Sequence, residues 1–303
     1  MKGKGTLIRF CSRSMARFER RLFENYLNKA ENLQSLSRLV HNTASINCQI
    51  VSFSSTKDFS EQVLSVLTFI RYVGIPDAWT VYSDGTHTDA QIINAELAFP
   101  FIKIIKEEPK KFLSNNHIKK SLQPYKNELV HYAETKVLGK KLLLYLNFEI
   151  KGPTIFLDSD VLFYEKSSNL KTMIRNHLNG WFLPDEAWGS LDSRYMSNIK
   201  AESCQINSGF ILAIRDFSSV LEGLTFLKSL DYSYEYFSEQ TIMHIILSSN
   251  DFASLDSDTF IINAGDQFQF SYLYGTKNIA IRHYTTPVRH KMWQRGWRWH
   301  LSL

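Results

Sequence analysis

The chain has 303 residues, of which 44% are hydrophobic and 21% are charged. This composition is typical of a packed globular protein and excludes a disordered or fibrous chain. The three cysteines, Cys11, Cys48 and Cys204, are too few and too scattered for a disulfide framework or a cysteine zinc site, so a reducing compartment fits best. No apolar run approaches the roughly 20 residues that a membrane-spanning helix needs.

Positive charge is concentrated at the two ends of the sequence. The formal net charge is +5, yet residues 1–30 carry +6 and residues 282–303 carry +5, which leaves about −6 for the middle. Basic ends on an acidic body indicate two anionic contacts, a phosphate-bearing ligand and an anionic membrane surface. Solvated charged ends are the alternative.

Residues 1–45 form the first predicted unit, a basic amphipathic segment. It includes a set of large apolar residues, Phe10, Met15, Phe18, Leu22, Phe23 and Tyr26. The pattern fits a helix on a membrane surface, an ordinary surface helix or, being acid-free up to Glu19, an organelle transit peptide. A secretory signal is not apparent, so we expect a cytoplasmic protein, with peripheral contact at the inner membrane surface as a further expectation.

From residue 46 the sequence alternates between strand and helix patterns. Strands are predicted at 49–53, 79–82, 101–105 and 154–157, and helices at 58–73, 90–97 and 118–146. Asp58 with Glu61 resembles a capping box at the start of the first of these helices, which Gly74 and Pro76 end. The alternation predicts an α/β fold with a mostly parallel sheet, and one catalytic domain over residues 46–285.

Ligands of such sheets bind at the carboxyl ends of the strands. Phe53, Ser54 and Asp84 fall at these ends, which predicts donor-binding roles for them. Asp158-Ser159-Asp160 directly follows the fourth strand. Two carboxylates one residue apart can hold one divalent cation, and hard oxygen ligands suit Mg²⁺ or Mn²⁺. A pair of acidic turn residues is the alternative interpretation.

With this motif the sequence resembles the GT-A glycosyltransferases, in particular the retaining group of glycogenin and the lipopolysaccharide galactosyltransferases. The matched pieces are the Asp158-Ser159-Asp160 block, Asn207-Ser208-Gly209-Phe210, Glu239-Gln240, and His283-Tyr284 followed by Lys291-Met292-Trp293. The resemblance implies a GT-A, Rossmann-like fold with a mixed, mostly parallel sheet flanked by helices. It also implies a UDP-sugar donor, retention at the anomeric carbon, and Mn²⁺ or Mg²⁺ as cofactor.

The resemblance further implies roles for particular residues. Asp158, Asp160 and His283 would hold the metal, and Asp158 would lie near the ribose. Lys291, or Arg289 in another alignment, would contact the β-phosphate. Lys136 stands where the group has an arginine near the diphosphate. Ser159 is also expected to contact the donor.

Four further residues are candidates for the catalytic set. Asp185, with Glu186 beside it, lies in a loop beyond the metal strand and could bind donor hydroxyls. Asn207, Glu239 and Gln240 come from the matched pieces. Structural alternatives stand beside these roles: a turn before the strand 210–214, the start of a helix, and a solvated Lys136.

Residues 286–303 form a tail rich in tryptophan and arginine, expected near the donor site. Such residues suit stacking on a sugar, a membrane interface or nucleic-acid bases. Packing of the tail against the domain is the remaining interpretation.

The chemistry predicts a metal-dependent glycosyltransferase, because a divalent cation and a nearby cationic side chain can stabilise a departing diphosphate. The alternatives are a haloacid-dehalogenase-like phosphatase, which shares the Asp-x-Asp block, and a non-catalytic protein that binds a nucleotide, a glycan or nucleic acid. A sugar-1-phosphate nucleotidylyltransferase would need a glycine-rich, arginine-bearing loop after Phe53, which is missing. The acidic middle of the chain argues against a nucleic-acid partner. The acceptor and the oligomeric state are left open.

Overall fold

The computed structural model describes residues 2–39, 44–106, 118–175, 178–185, 189–198 and 204–303. Two helices precede the first strand, α1 (Lys2–Leu27) and α2 (Ala30–Leu39). Among the described residues, no helix combines the length and apolarity needed to cross a bilayer.

Seven strands of the described residues form the large sheet. They are β1 (Ser45–Ser54), β2 (Ile75–Ser83), β3 (Ile102–Ile105), β4 (Thr154–Asp158), β6 (Gly180–Asp185), β7 (Gln205–Ala213) and β8 (Ala253–Ser254). The strand between β4 and β6 in the sequence, β5 (Val161–Phe163), belongs to a second sheet. Their order is β3-β2-β1-β4-β7-β6-β8. Every neighbouring pair is parallel except those of β7, which runs antiparallel to both β4 and β6. The predicted mixed, mostly parallel sheet is confirmed.

A three-stranded sheet lies beside the carboxyl end of β4. It has the order β5-β10-β9, with β9 at Phe260–Ile262 and β10 at Ile281–His283. In this sheet His283 pairs with Val161, the residue after the Asp158-Ser159-Asp160 turn. The pairing brings a residue from the end of the domain to the motif that follows β4.

Helices cover both faces of the large sheet. The remaining α-helices in the part of the chain that the structure describes are α3 (Phe59–Tyr72), α4 (Asp89–Ala98), α5 (Lys126–Thr135), α6 (Val137–Asn147), α7 (Leu170–Met173), α8 (Leu221–Ser229), α9 (Ser238–Ser248), α10 (Lys291–Gln294) and α11 (Trp297–His300). Successive strand residues point to opposite faces, so Ile155 and Leu157 join the core layer of α3 while Phe156 joins that of α6 and α9. Each strand of the middle of the sheet is therefore buried on both sides.

Two local predictions need correction. Asp58 does not cap α3 with its side chain; the Asp58 carboxylate instead accepts a hydrogen bond from Ser55 Oγ at 2.7 Å. The predicted helix 118–146 is a 3-10 helix at Lys120–Tyr125 followed by α5 and α6, because Lys136 is extended between them. At Gly139 a Cβ would lie 2.3 Å from the carbonyl oxygen of Tyr132, so the close approach of α6 to α5 requires glycine.

Candidate active site

A cavity of about 470 Å³ lies at the carboxyl edge of the large sheet. Its lining includes the ends of β1, β4 and β6 and the first turn of α9. Because β7 is reversed, its amino end reaches the same edge, and Asn207 and Ser208 line the cavity. A cavity of this size, lined by both apolar and polar side chains, suits a small-molecule ligand.

Asp158, Asp160 and His283 meet on one wall of this cavity. Each offers a ligand atom, and these atoms all lie within 4.8 Å of one another. His283 Nε2 is 3.1 Å from Asp160 Oδ1 and 3.8 Å from Asp158 Oδ2. Two carboxylates and an imidazole form a donor set that could hold a divalent cation.

The ring orientation of His283 is fixed by Asn207. Asn207 Oδ1 accepts a hydrogen bond from the Gly209 amide at 2.9 Å and lies 3.0 Å from His283 Nδ1. Since an amide oxygen only accepts, Nδ1 carries a proton, and Nε2 is the ring nitrogen that faces the two carboxylates. The sequence of β7 therefore selects the tautomer that can bind a metal.

Arg289, which lies outside both sheets, forms an ion pair with Asp160, the second aspartate of the Asp158-Ser159-Asp160 motif. Its guanidinium donates to Asp160 Oδ2 and, at 3.4 Å, to Asp58 Oδ1. Burial opposes ionisation of Asp160, but His283 and Arg289 outweigh it and hold the pKa of this carboxyl well below its usual range. The carboxylate is thus fully charged wherever the protein is folded near neutral pH.

Lys141 is a buried cation of the site that the sequence interpretation missed. Its Nζ lies 2.7 Å from Asp158 Oδ1 and 3.7 Å from Glu239 Oε1. Burial opposes the charge on Lys141, but Asp158 and Glu239 raise its pKa above the usual range, whereas burial raises the pKa of Glu239. A lysine on the apolar face of α6, four residues before the buried Tyr145, was the available signal.

Asp185, Asn207 and Gln240 form a hydrogen-bonded group that is joined to His283 through Asn207. Asn207 Nδ2 donates to Asp185 Oδ2 at 3.1 Å and to Gln240 Oε1 at 3.3 Å. Gln240 Nε2 also donates to the carbonyl oxygen of Ser190 at 2.7 Å. Ser208 Oγ donates to Glu239 Oε2 at 2.9 Å, which places Glu239 beside this group. The four candidate catalytic residues therefore surround one space.

The other predicted donor contacts divide into two sets. Phe53, Ser54, Asp84 and Ser159 all line the cavity. Lys136 and Lys291 are not among its lining residues. Glu186 lies outside the described residues.

The surroundings of Lys136 and Lys291 explain why neither side chain lines the cavity. Lys136 is exposed at the extended break between α5 and α6. Lys291 is buried, with its Nζ donating to the carbonyl oxygens of Gln269 and Ser271, and burial lowers its pKa to about 8. Of the two residues predicted to contact the β-phosphate, Lys291 and Arg289, it is Arg289 that lines the cavity.

The two parts of the tail, before and after residue 290, have different surroundings. Thr286, Pro287 and Arg289 line the cavity. Trp293 and Trp297 are buried against Phe23 of α1, with ring centroids 5.5 and 5.3 Å from it. The tryptophans thus pack against the domain rather than over the cavity.

Comparison with solved structures identifies the architecture. The galactosyltransferase LgtC, solved with donor and acceptor sugar analogues, is 14% identical and superposes with a TM-score of 0.50 over 79% of this chain and 87% of its own. The chain has a GT-A fold. This fold also relates it to the bifunctional glycosyltransferase WbbM, at 14% identity and a TM-score of 0.53 over 80% of this chain and 46% of WbbM.

The GT-A fold is shared as well with the glycosyltransferase GlyE of Streptococcus pneumoniae, at 11% identity and a TM-score of 0.50 over 85% of this chain and 62% of GlyE. No protein-family model and no curated protein sequence matches the chain. The likeness therefore lies in the fold, and the chemistry has to be argued from the cavity itself.

Proposed function

We propose that this chain is a metal-dependent glycosyltransferase that moves a sugar from a nucleotide-diphosphate donor to a glycan, lipid or protein acceptor. The observation that carries the proposal is the meeting of Asp158, Asp160 and His283 with Arg289 in the cavity of a GT-A fold. Glycosyl transfer breaks the bond between the anomeric carbon and the diphosphate oxygen. It forms a bond from that carbon to an acceptor oxygen, which releases a proton.

The residues present fit a divalent cation. Asp158, Asp160 and His283 would hold it, with Mn²⁺ favoured over Mg²⁺ because one ligand is an imidazole. When bound, such an ion neutralises charge on the diphosphate as the glycosidic bond breaks. Asn207 fixes the His283 ring that this site requires.

Arg289 is the cation best placed to bind the departing diphosphate. Its side chain is 43% exposed at the cavity wall, while Lys141 is buried and engaged with Asp158 and Glu239. A guanidinium matches phosphate oxygens in a bidentate manner, and it keeps its charge throughout the reaction. Arg289 would exchange its contact with Asp160 for the phosphate once Asp160 binds a metal.

Asp185 and Gln240 are the candidates for holding the donor sugar. Both line the cavity, and both are hydrogen-bonded to Asn207, which also contacts His283. This arrangement supports binding of sugar hydroxyls beside the metal ligands. A UDP-sugar donor and retention at the anomeric carbon are proposed on the sequence resemblance. The phosphatase alternative is not favoured, because the Asp-x-Asp block follows four strands of a GT-A sheet.

The deciding experiment is a screen of UDP- and GDP-sugars for nucleotide release with and without Mn²⁺. We expect release by the wild-type protein, loss on adding a chelator, and loss in Asp160→Ala. Asp258→Ala, which removes an exposed carboxylate outside the cavity, is the matched control and should stay active. Equal turnover by a folded Asp160→Ala variant would overturn the mechanism, and NMR of the new linkage tests retention.

A further inference from the structure

The outward face of α1 carries a continuous row of exposed apolar side chains. Leu7 and Phe10 are each 64% exposed and Phe18 is 61% exposed, with Met15 and Leu22 beside them. At 3.6 residues per turn these positions fall within an arc of about 140° of the helix. Singly exposed apolar residues are ordinary, but a row of five on one helix face marks an interaction surface.

The opposite face of α1 is anchored to the domain. Ala16, Phe23 and Leu27 are buried in the core layer that also contains Trp293 and Trp297. Arg20 donates to the buried Glu61 of α3 at 3.0 Å. Helix α1 is therefore packed against the domain, and its row of apolar side chains is exposed in this packed position.

Arginines flank the exposed row. Arg13, Arg17 and Arg21 are exposed on α1, and the sequence contains no acid before Glu19. The tail that packs beside α1 adds the exposed Arg295 and Arg298. The two basic ends of the chain therefore meet on one side of a molecule whose middle is acidic.

A second cavity, of about 430 Å³, opens between α1 and α10. Phe10, Ala16 and Trp293 give it an apolar lining, and Arg13, Arg17, Arg20 and Arg289 add guanidinium groups beside the carboxyl of Glu61. His290 also lines it, and burial, followed by Lys291, Arg13 and Arg9, lowers the pKa of His290 to about 4. Apolar surface beside several arginines suits a phosphate that carries a hydrocarbon chain.

We propose that the outward face of α1 docks on an anionic phospholipid bilayer, with a lipid phosphate entering the cavity between α1 and α10. Charge complementarity favours this occupant over a protein partner, because exposed arginines lie beside the apolar row, while the Glu61 carboxyl that lines the cavity is buried and paired with Arg20. Insertion of apolar side chains and attraction to anionic lipid act together at such surfaces. This inference goes beyond the proposed activity and does not depend on it.

Co-sedimentation with vesicles tests the proposal. The protein should bind vesicles of phosphatidylcholine with 30% phosphatidylglycerol, bind pure phosphatidylcholine at least about tenfold more weakly, and lose binding in 0.5 M salt. Phe10→Ser/Phe18→Ser and Arg13→Ala/Arg17→Ala should each reduce partition about tenfold or more. Nucleotide release from a soluble donor should be unchanged in both, which separates docking from catalysis.

Matched controls lie elsewhere on the surface. Ile93→Ser/Leu97→Ser removes two exposed apolar side chains of α4, and Lys120→Ala/Lys126→Ala removes two exposed charges. Both controls should bind vesicles like the wild type. Equal binding to both vesicle types, loss of binding in the controls, or self-association through α1 without vesicle binding would overturn the proposal. Binding of soluble glycerophosphate without vesicle binding would overturn it too.

Discussion

Gly209 shows how the absence of a side chain at one position shapes the cluster of Asp158, Asp160 and His283. A Cβ at this position would lie 2.1 Å from Cε1 and 2.5 Å from Nδ1 of His283, closer than any real contact. The glycine therefore provides the space in which the imidazole turns toward Asp158 and Asp160. Its backbone amide also holds Asn207 Oδ1, which orients the same ring.

Gly209→Ala is expected to displace His283 and to weaken Mn²⁺ binding about 10- to 100-fold, as loss of a ligand's support does at metal sites. Isothermal titration with Mn²⁺ measures this. Gly265→Ala is the control, since a Cβ there meets nothing within 4 Å. Unchanged affinity in a folded Gly209→Ala variant would show that His283 does not act as a ligand.

Lys141 is expected to stabilise the fold through its two carboxylates. Lys141→Met leaves Asp158 and Glu239 without their buried partner and should cost about 3 kcal/mol or more of unfolding free energy. Adding Glu239→Gln removes one of the uncompensated charges, so the double variant should lose less than the sum of the single losses. Urea unfolding of the four proteins measures the coupling; strictly additive losses would contradict it.

Most of the residues that gather in the cavity could be predicted because they lie in short motifs at strand ends. Lys141 could not, since a lysine within a helix is usually solvated and only the three-dimensional packing of α6 shows which way it points. Lys291 illustrates the reverse. Its motif suggested a phosphate contact, but the side chain binds the carbonyl oxygens of Gln269 and Ser271, and Arg289 reaches the cavity.

The element that ties the ends of the sequence together is α1. Phe23 contacts Trp293 and Trp297, and Tyr26 lies 5.6 Å from Trp297 between ring centroids. The helix therefore supplies one wall of the apolar layer that holds the tail. Sequence periodicity predicted a helix here but not its partner, because tail and helix are far apart in sequence.

Phe23→Ala is expected to lower the unfolding free energy by about 3–5 kcal/mol, because it empties a fully buried aromatic site. Phe18→Ala on the same helix removes a ring that is 61% exposed and should change stability by less than about 0.5 kcal/mol. Chemical denaturation of both variants provides the measurement. Similar losses in the two would mean that the tail does not pack on Phe23 in solution.

Glu61 joins α3 to α1 and to the tail, and its titration should be visible in stability. It accepts from Arg20 at 3.0 Å and from Trp293 Nε1 at 3.2 Å, yet burial raises its pKa to about 7. The folded protein thus binds a proton that the unfolded chain releases near pH 4.5. Stability from this group is present at low pH and declines as pH rises toward 7.

The expected consequence is that wild type loses up to about 3 kcal/mol more between pH 5 and pH 8 than Glu61→Gln does. Thermal or urea unfolding at both pH values measures the difference. Glu149→Gln, at a carboxylate that is 70% exposed, is the control and should follow the wild type. Parallel pH profiles for wild type and Glu61→Gln would show that the Glu61 carboxyl is already charged at pH 5.

At the scale of the molecule, the cavity joins parts that are separate in sequence. Its walls come from the large sheet, from the small sheet through His283, and from the tail through Arg289. The alternation of strands and helices predicted the α/β class, and the motif predicted the GT-A fold. Neither predicted the pairing of β5 with β10, because that contact links residues more than 100 positions apart.

A ligand that bridges these walls should stabilise them together. UDP with Mn²⁺ is expected to raise the melting temperature by about 5 °C at saturating concentrations, and by more than the separate effects of UDP and Mn²⁺ combined. Asp160→Asn should abolish this synergy. Differential scanning fluorimetry with each ligand alone and together is sufficient, and a purely additive response would argue against a shared site.

The reversed strand β7 determines how different parts of the site can move. All of its residues are buried, and it is hydrogen-bonded to β4 on one side and β6 on the other. Opening it would require breaking the middle of the sheet, so its amides should exchange with solvent only through near-global unfolding. Asn207, Ser208 and Gly209 therefore form a wall that stays fixed through each turnover. Any opening and closing for substrates would fall to the rim, where Tyr236, Thr285, Thr286, Pro287 and Arg289 line the cavity outside the large sheet.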